Sequence, residues 1–310
     1  MPLISKSLWA TAAVFAAGFA PIPSQALMQA ESTVPPGYNS ACNCYRNVPY
    51  GSTTWIEPTT RKLAKQAMDV WMPPQGFSGP RPIVYYGHPN GTGNYIAKDI
   101  TAGSLYSRVV KPLTDQGFIV ISYEFRHPVV NYVAGSPTPR FDIQKAINTF
   151  VNNHAVALNA DPTNSFISGQ SRGGGLGILT ALTGKLNGTT VRAIWTYQAQ
   201  TTFNCTEMAN TFVIESDRAA FMTQCTAVPD AGSSLQSVTP SAPPIYAAYD
   251  RPFNMVQVPA SQVDVHYPDF GYQLCRRYQT EGINQCQAAP SVSGDTAWSG
   301  MADFFTAHLQ

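Results

Sequence analysis

Ser171 lies in the sequence Gly169-Gln-Ser-Arg-Gly173, a Gly-x-Ser-x-Gly pattern that has the setting of a catalytic nucleophile. Residues 165–168 before it are predicted to form a short buried strand, and residues 174–186 after it show apolar positions at helical spacing. Glycine on either side avoids collisions in such a tight turn. Free N–H groups at the helix start stabilise negative charge, so we predict that the N–H of Arg172 contacts a tetrahedral oxyanion. The alternative is a glycine-rich turn with an incidental serine.

A second oxyanion donor is predicted in the loop Tyr86-Gly-His-Pro-Asn-Gly91, which follows another predicted strand. This loop resembles the His-Gly-Gly-Gly oxyanion motif of esterases, but Pro89 has no N–H to donate. The donor would therefore be the N–H of Asn90 or Gly91. A plain turn is the alternative, because Pro-Asn-Gly is a common turn sequence.

A serine hydroxyl needs a neighbouring base, and His266 is the preferred candidate among the five histidines. It lies between a predicted strand and a predicted helix, at the sheet edge expected to hold the nucleophile. His88 and His127 also follow strands at that edge and are the alternative bases. We expect a structural role for His88 in the oxyanion loop and a turn position for His127, which precedes a proline. The competing role for His266 is to cap the helix predicted to begin near Gly271.

The acid that orients the base is predicted to be Asp250, with Asp264 as the alternative. Asp250 follows a predicted strand, whereas Asp264 lies only two residues from His266 and would point elsewhere in an extended loop. Asp142 and Asp161 are interpreted as helix caps. The side chain of Arg172 is expected to pair with a surface acid, and binding of a substrate carboxylate is the alternative.

The elements that must position these residues alternate along the chain, which is typical of an α/β protein with a mostly parallel sheet flanked by helices. β-branched and aromatic residues predict strands at 82–86, 118–123, 165–168, 191–197 and 244–249, with a weaker strand at 284–288. Apolar residues at three- and four-residue spacing predict helices at 104–116, 141–153, 174–186, 271–281 and 298–308.

The predicted domain organisation is a signal peptide at 1–26, a leader at 27–40 and one α/β domain at 41–310. Residues 1–26 have the pattern of a signal peptide, with a cation at Lys6, an apolar stretch at 8–19 and small residues before a cleavage point after Ala26. An uncleaved membrane anchor is the alternative. The polar segment 198–242 interrupts the alternation and is interpreted as a small cap-like insertion, since strands on both sides are needed for one sheet.

The six cysteines all follow the predicted signal peptide, and their even number predicts disulfides in an oxidising compartment. Spacing favours Cys205 with Cys225 and Cys275 with Cys286, which leaves Cys42 and Cys44 over, but six cysteines allow 15 connectivities. No metal is predicted, because Cys42-x-Cys44 lacks the usual zinc spacer and the chain has no His-Glu-x-x-His sequence.

Composition excludes one class of partner. Charged residues make up 12% of the chain, the formal net charge is +1, and no cluster of lysine and arginine is present. Such a chain has nothing to neutralise a run of phosphates, so nucleic acid is not an expected partner. No apolar run of membrane-spanning length follows the N-terminus, so no span is expected in the mature protein.

Taken together with further stretches, these motifs resemble the α/β-hydrolase superfamily, in particular secreted bacterial esterases related to feruloyl and acetyl xylan esterases. The matching stretches fall within residues 45–200 and include Asn47–Gly51, Ala67–Pro73, Tyr123–Arg126, Asp142 and Asp161-Pro162. The resemblance implies the α/β-hydrolase fold for the domain at 41–310, a Ser-acid-His triad acting on an ester carbonyl, and no cofactor.

The chain departs from that family at two catalytic positions. The family acid would stand about three residues after Asp250, where this chain has Phe253, and the family histidine would lie between Cys286 and Trp298, where none occurs. The sequence therefore predicts an exported serine carboxylic-ester hydrolase that uses His266, with a small-molecule or polysaccharide ester as substrate. A catalytically degenerate hydrolase that binds a ligand or partner is the rival, and a serine peptidase is a third possibility.

Overall fold

The computed structural model describes residues 32–56, 63–89, 105–126, 139–225 and 232–310. The predicted signal peptide lies outside these ranges, as do residues 27–31 of the leader. Asn90, Gly91 and His127 also lie outside the described residues.

One twisted sheet runs through the described part of the chain, and its strand order is β1-β2-β3-β5-β4-β6-β7-β8-β9. The pairs from β1 to β3 and the β3–β5 pair are antiparallel, and the remaining pairs from β5 to β9 are parallel. The strands are β1 (Tyr38–Asn39), β2 (Cys44–Ile56), β3 (Leu63–Trp71), β4 (Arg81–Gly87), β5 (Ile119–Tyr123), β6 (Ala160–Gln170), β7 (Val191–Tyr197), β8 (Ile245–Ala248) and β9 (Cys286–Ala289).

The central strands are buried on both faces because their side chains alternate between two apolar cores. In β4, Ile83 and Tyr85 contribute to one core, while Val84 and Tyr86 contribute to the other. Continuous apolar runs such as the one in β5 follow from this double burial, since neither face of the strand meets water.

The helices cover the two faces of the sheet. α2 and α3 contribute Ile143, Ile147 and Leu176 to the first core, while α1 and α8 contribute Leu113 and Phe305 to the second. The helices are α1 (Lys111–Asp115), α2 (Pro139–Asn153), α3 (Ser171–Thr183), α4 (Cys205–Phe212), α5 (Arg218–Gln224), α6 (Ser234–Ser237), α7 (Asp269–Thr280) and α8 (Met301–Thr306). A π-helical turn, Tyr106–Val110, precedes α1.

The predicted α/β fold with a mostly parallel sheet is confirmed, with two differences in detail. The helix predicted at 104–116 is a π-helical turn followed by only five residues of α-helix, and Ser104 lies outside the described residues. The N-terminal strands β2 and β3 were not among the predicted strands, and they add an antiparallel edge to the sheet.

The segment predicted as an insertion contains α4, α5 and α6, which lie in sequence between β7 and β8. A disulfide joins Cys205 at the start of α4 to Cys225 at the end of α5. The described residues contain two other disulfides, Cys42–Cys44 and Cys275–Cys286. The second of these links α7 to β9.

In the described ranges, no helix combines the length and apolar character needed to cross a membrane. The same ranges contain no group of three or more histidine, cysteine, aspartate or glutamate side chains arranged to hold a metal ion.

Candidate active site

The turn between β6 and α3 holds Ser171 in a strained conformation. Gln170 is still extended, with φ −119° and ψ 142°, and Ser171 has a φ of +51°. A residue with a side chain adopts this left-handed region only when its surroundings enforce it. Ser171 is the first residue of α3, so the predicted strand-to-helix turn is present and the free N–H groups of the helix start lie beside the serine.

Glycines bring this turn against the end of β4. Gly87 and Gly169 are partners in the parallel β4–β6 pair, and a methyl group on Gly87 would lie 2.5 Å from the carbonyl oxygen of Gly173. A methyl group on Gly173 would likewise collide with the backbone of Gly87 and His88. Only glycine allows this backbone contact, so the loop predicted to carry the second oxyanion donor follows a strand end that lies directly against the β6–α3 turn of Ser171.

The Ser171 hydroxyl meets a histidine that is 95 residues away in sequence. Ser171 Oγ and His266 Nε2 are 2.9 Å apart, which is hydrogen-bond distance. Ser171 is 6% exposed, and His266 is partly buried in the loop between the 3₁₀ turn Ala260–Gln262 and α7. A serine hydroxyl in contact with an imidazole nitrogen is the arrangement in which the imidazole can accept the hydroxyl proton.

Arg251 and Asp264 hold the backbone around His266. The N–H of His266 donates to Asp264 Oδ1 at 2.7 Å. Arg251 donates to both oxygens of the same carboxylate, at 3.2 Å and 3.0 Å. The hydrogen bond to Asp264 raises the pKa of Arg251 above its ordinary value, and the charges of Asp264 and Asp250 add to the effect. Asp264 therefore serves the main chain of this loop in the structure.

Asp250 follows β8, as expected from the sequence, and lies 3.5 Å from Arg251 Nε through its Oδ1. Its side chain is 39% exposed. Among the described residues, neither Asp250 nor Asp264 forms a hydrogen bond with the imidazole of His266. The structure thus brings Ser171 and His266 together and places both candidate acids in the adjoining loop without joining either to the ring.

A buried carboxylate at the start of α7 fixes the other half of this loop. Asp269 accepts hydrogen bonds from the N–H groups of Asn254, at 2.9 Å, and Met255, at 2.6 Å. Met255 has a φ of +59°, so these bonds hold it in a conformation that is otherwise unfavourable. The loop that carries His266 is consequently anchored at both ends.

His88 occupies a different position from the one a catalytic base requires. Its Nε2 lies 3.2 Å from Glu124 Oε1, and its Nδ1 lies 2.6 Å from the main-chain oxygen of Pro89. Both ring nitrogens therefore have partners other than Ser171. The structural role expected for His88 agrees with this geometry, whereas the alternative of His88 as base does not.

The side chain of Arg172 is buried, 3% exposed, and its guanidinium lies 4.8 Å from the centre of the Phe125 ring. A cation over an aromatic face is stabilised by the ring quadrupole. The burial differs from the surface position expected for this side chain, and its pairing with an acid stays a prediction.

Two aspartates interpreted as helix caps have other roles. Asp142 lies inside the first turn of α2, where its buried carboxylate accepts two hydrogen bonds from the Arg126 guanidinium, each at 2.7 Å. Asp161 lies in β6 and accepts hydrogen bonds from Thr163 and Asn164, which form a local turn and lower the pKa of its carboxyl. Neither aspartate approaches the serine in these contacts.

Two residues near the candidate site escaped the sequence analysis as site residues. Glu124 is fully buried against His88, and Arg251 bridges the two candidate acids. The sequence did contain a signal for Glu124, because it directly follows the apolar run of β5. A carboxylate so close to a buried strand is expected to need a partner, since charged side chains are rarely buried unless they are paired. Nothing in the sequence around Arg251 indicates which neighbours its long side chain reaches.

Comparison with known proteins gives one family and many similar folds. The sequence model of the BD-FAE family matches residues 68–227, just over half of the 310-residue chain. No curated protein matches the chain.

Several solved esterase structures share the fold. A truncated carbohydrate esterase from gut microbiota has 20% identity and a TM-score of 0.55, with 83% of this chain and 96% of that chain covered. A bacterial heroin esterase has 18% identity and a TM-score of 0.54, with 78% of each chain covered. A lipase/esterase from Lactobacillus plantarum has 13% identity and a TM-score of 0.54, with 84% and 99% covered. At these identities the likeness establishes the fold.

Proposed function

Because the chain belongs to the BD-FAE family of esterases, and is therefore an ester hydrolase with the α/β-hydrolase fold, we propose that Ser171 is its nucleophile and His266 its general base. The observation that carries this proposal is the 2.9 Å distance between Ser171 Oγ and His266 Nε2. The resemblance that the sequence motifs indicated is thus confirmed at the level of family and fold, and the residue roles are the proposed part.

In the proposed acylation step, Ser171 Oγ attacks the ester carbonyl carbon while His266 Nε2 takes the hydroxyl proton. The C–O bond to the leaving alcohol then breaks, and the imidazolium returns the proton to the alkoxide. In deacylation, His266 removes a proton from water, whose oxygen attacks the acyl carbon. The bond from that carbon to Ser171 Oγ then breaks, and the imidazolium returns its proton to Oγ, which releases the acid and restores the serine hydroxyl.

The negative charge that develops on the carbonyl oxygen needs donors beside Ser171. The N–H of Arg172 is proposed as one donor, since it belongs to the first turn of α3, where N–H groups lack helical partners. The second is the N–H of Asn90 or Gly91, which lie outside the described residues. Contact between Gly87 and Gly173 supports this pairing, because it holds the start of that loop against the nucleophile turn.

We propose Asp250 as the acid that orients His266, and a supporting role for Asp264. Asp264 already binds the main chain of His266 and the Arg251 guanidinium, so its carboxylate fixes the loop. Asp250 reaches the same arginine only at 3.5 Å, which leaves its carboxylate better able to turn toward Nδ1 of the imidazole. Placing the acid after β8 also keeps the chain order serine, acid, histidine.

A histidine in the β8–α7 loop supports turnover over the rival function as a binding protein. The rival rested on the lack of a histidine between Cys286 and Trp298. His266 meets Ser171 from another loop, so that lack does not leave the serine without a base. For the substrate, carbohydrate esterases among the similar structures favour an ester of a sugar or polysaccharide. A small-molecule ester is the alternative, and a serine peptidase has no support among these matches.

Export is proposed from the signal-peptide pattern at 1–26 and from the disulfides, which form in oxidising compartments. Mass spectrometry of protein collected from the periplasm or medium should give an N-terminus at residue 27 and no free thiol. A chain that retains residues 1–26 and six free thiols would contradict export.

Labelling with a fluorophosphonate tests the nucleophile, because this reagent reacts with an activated serine hydroxyl. We expect modification of Ser171 in the wild type and none in Ser171→Ala or His266→Ala. Both variants should also lose ester turnover to a similar extent, since the members of a catalytic unit are not additive. His308→Ala is the matched control, because Nδ1 of His308 lies 2.7 Å from the main-chain oxygen of Phe304 in α8 and its ring packs on the Phe304 side chain. Absence of labelling in folded, oxidised wild type would favour the binding-protein function.

A further inference from the structure

A buried histidine and glutamate lie at the ends of β4 and β5, and the proposed reaction does not use either side chain. His88 follows β4 and Glu124 follows β5, two strands that are parallel neighbours in the sheet. Both side chains are 0% exposed, and His88 Nε2 is 3.2 Å from Glu124 Oε1. Such a pair is costly to bury unless its polar atoms are satisfied, so its presence calls for a physical reason.

The hydrogen-bond partners of His88 determine where its protons must be. The Pro89 oxygen, 2.6 Å from Nδ1, is a carbonyl and can only accept, so Nδ1 carries a proton. A neutral imidazole with that proton would turn the lone pair of Nε2 toward Glu124 Oε1, which is also an acceptor when ionised. A second proton between Nε2 and Oε1 removes this conflict.

We propose that His88 is an imidazolium that donates from Nε2 to the Glu124 carboxylate, and that this pair positions the Pro89 carbonyl and the oxyanion loop that begins there. The shared proton is assigned to His88, because both of its ring nitrogens then face an acceptor, Pro89 O at 2.6 Å and Glu124 Oε1 at 3.2 Å. The imidazolium then donates from both nitrogens, and its charge and that of Glu124 offset each other within the protein. His88 and Glu124 are positioning residues in this proposal.

The surroundings fit a fixed imidazolium. The His88 ring stacks on Phe125 with centroids 4.5 Å apart, and the Arg172 guanidinium lies 4.8 Å from the same Phe125 ring. Tyr50 donates its hydroxyl proton to the main-chain oxygen of Glu124. Among the described residues, Tyr123, Arg126 and Asp142 also act electrostatically on Tyr50.

The charge states of Tyr50, Arg126 and Asp142 follow from their burial and contacts. Burial, together with the charges of Asp142 and Glu124, raises the pKa of Tyr50 well above its ordinary value, so Tyr50 is neutral and remains a donor. Arg126 and Asp142 are paired with each other at 2.7 Å and contribute no net charge. The guanidinium of Arg172 is a further charged group near the pair, 4.8 Å from the centre of the Phe125 ring on which His88 stacks.

The connection to catalysis is the direction of one peptide plane. In a planar trans peptide, the C=O and the following N–H point in opposite directions, so fixing the Pro89 carbonyl fixes the direction of the next amide. His88 also contacts the nucleophile turn through its main chain, since its carbonyl oxygen is one of the atoms that a methyl group on Gly173 would strike. This part of the inference rests on the proposed function, whereas the protonation state of His88 does not.

Nuclear magnetic resonance of the full chain labelled with ¹⁵N at histidine tests the protonation state directly. We expect His88 to show two ring N–H protons in the wild type, and only the Nδ1 proton in Glu124→Gln, whose amide can donate to Nε2. A single ring proton on His88 in the wild type would overturn the proposal, and this measurement needs no variant to fold.

Steady-state kinetics test the positioning role. In Glu124→Gln we expect kcat to fall about 10- to 100-fold with little change in KM, because an oxyanion donor acts in the transition state and a displacement of about 1 Å is costly. Glu124→Asp, which restores the carboxylate, should recover part of the loss. Wild-type kcat in Glu124→Gln would overturn the positioning role. Loss of fluorophosphonate labelling in the wild type would instead refute Ser171 as nucleophile, while the His88 proton count would stand.

Discussion

Replacing Gly87 with alanine should separate the two halves of the proposed oxyanion site. The new methyl group would lie 2.5 Å from the Gly173 oxygen and 2.9 Å from its Cα. Ordinary van der Waals contact begins near 3.4 Å, so β4 and the start of α3 must move apart by about 0.9 Å. Both contacts are with backbone, and no side-chain rotation can relieve them. A displacement of about 1 Å at a reacting centre can cost about 100-fold in rate.

We therefore expect Gly87→Ala to lower kcat/KM about 100-fold and to lower the free energy of unfolding by about 1–3 kcal/mol, as overpacking does. Initial rates of p-nitrophenyl acetate hydrolysis and urea unfolding followed by circular dichroism measure the two effects. The activity should be measured well below the unfolding transition, so that the loss of rate is not a loss of folded protein.

Gly177→Ala is the matched control within α3. Its methyl group would lie 2.9 Å from Ile167 Cγ2, so a buried side chain must shift by a few tenths of an ångström, but this contact is not with the backbone of β4. Alanine is also favoured over glycine inside a helix by about 1 kcal/mol. This variant should keep wild-type turnover. Gly87→Ala protein with wild-type turnover and stability would refute the argument that the Gly87–Gly173 contact aligns the site.

Two further predictions concern the acid and the tyrosines. Asp250→Asn should lower kcat about 10⁴-fold if Asp250 orients the imidazole. Asp264→Asn should lower kcat less, because an amide oxygen can still accept the hydrogen bond from the His266 N–H. A larger loss of kcat in Asp264→Asn than in Asp250→Asn would assign the orienting role to Asp264. Burial raises the pKa of Tyr85 and Tyr249 above the ordinary value, which is about 10 in an unfolded chain. Above that pH the folded protein therefore binds more protons than the unfolded chain. Urea titrations should show that the free energy of unfolding decreases as the pH rises from 10 to 11. Equal stability at both pH values would contradict this second prediction.

The nucleophile turn was predictable because its signal is local. Gly169, Ser171 and Gly173 lie within five residues, and the strand before them and the helix after them follow from the periodicity of adjacent residues. The same reasoning gave the parallel strands, whose apolar runs are continuous because both faces are buried. β2 and β3 were missed because β2 alternates buried and exposed residues irregularly, with register shifts between Tyr45 and Val48 and between Pro49 and Thr54.

The surroundings of the turn depend on contacts between distant parts of the chain, and the sequence does not contain them in readable form. Arg172 is adjacent to the serine, yet its side chain is buried because Phe125 lies nearby, and Phe125 is there because β5 inserts between β3 and β4. Choosing between Asp250 and Asp264 fails for a related reason. Both lie in the loop of His266, and the long side chain of Arg251 decides which carboxylate is occupied.

The left-handed backbone conformation of Ser171 lowers the stability of the folded protein at the residue proposed to be needed for turnover. A φ of +51° at a residue with a side chain costs on the order of 1 kcal/mol, and glycine at the same position would not bear that cost. Laboratory evolution that selects this chain only for resistance to heat should therefore favour Ser171→Gly and lose the proposed nucleophile in its most stable members. Any programme to make the enzyme more robust has to screen for ester cleavage at every round, because at this residue the two selections oppose each other.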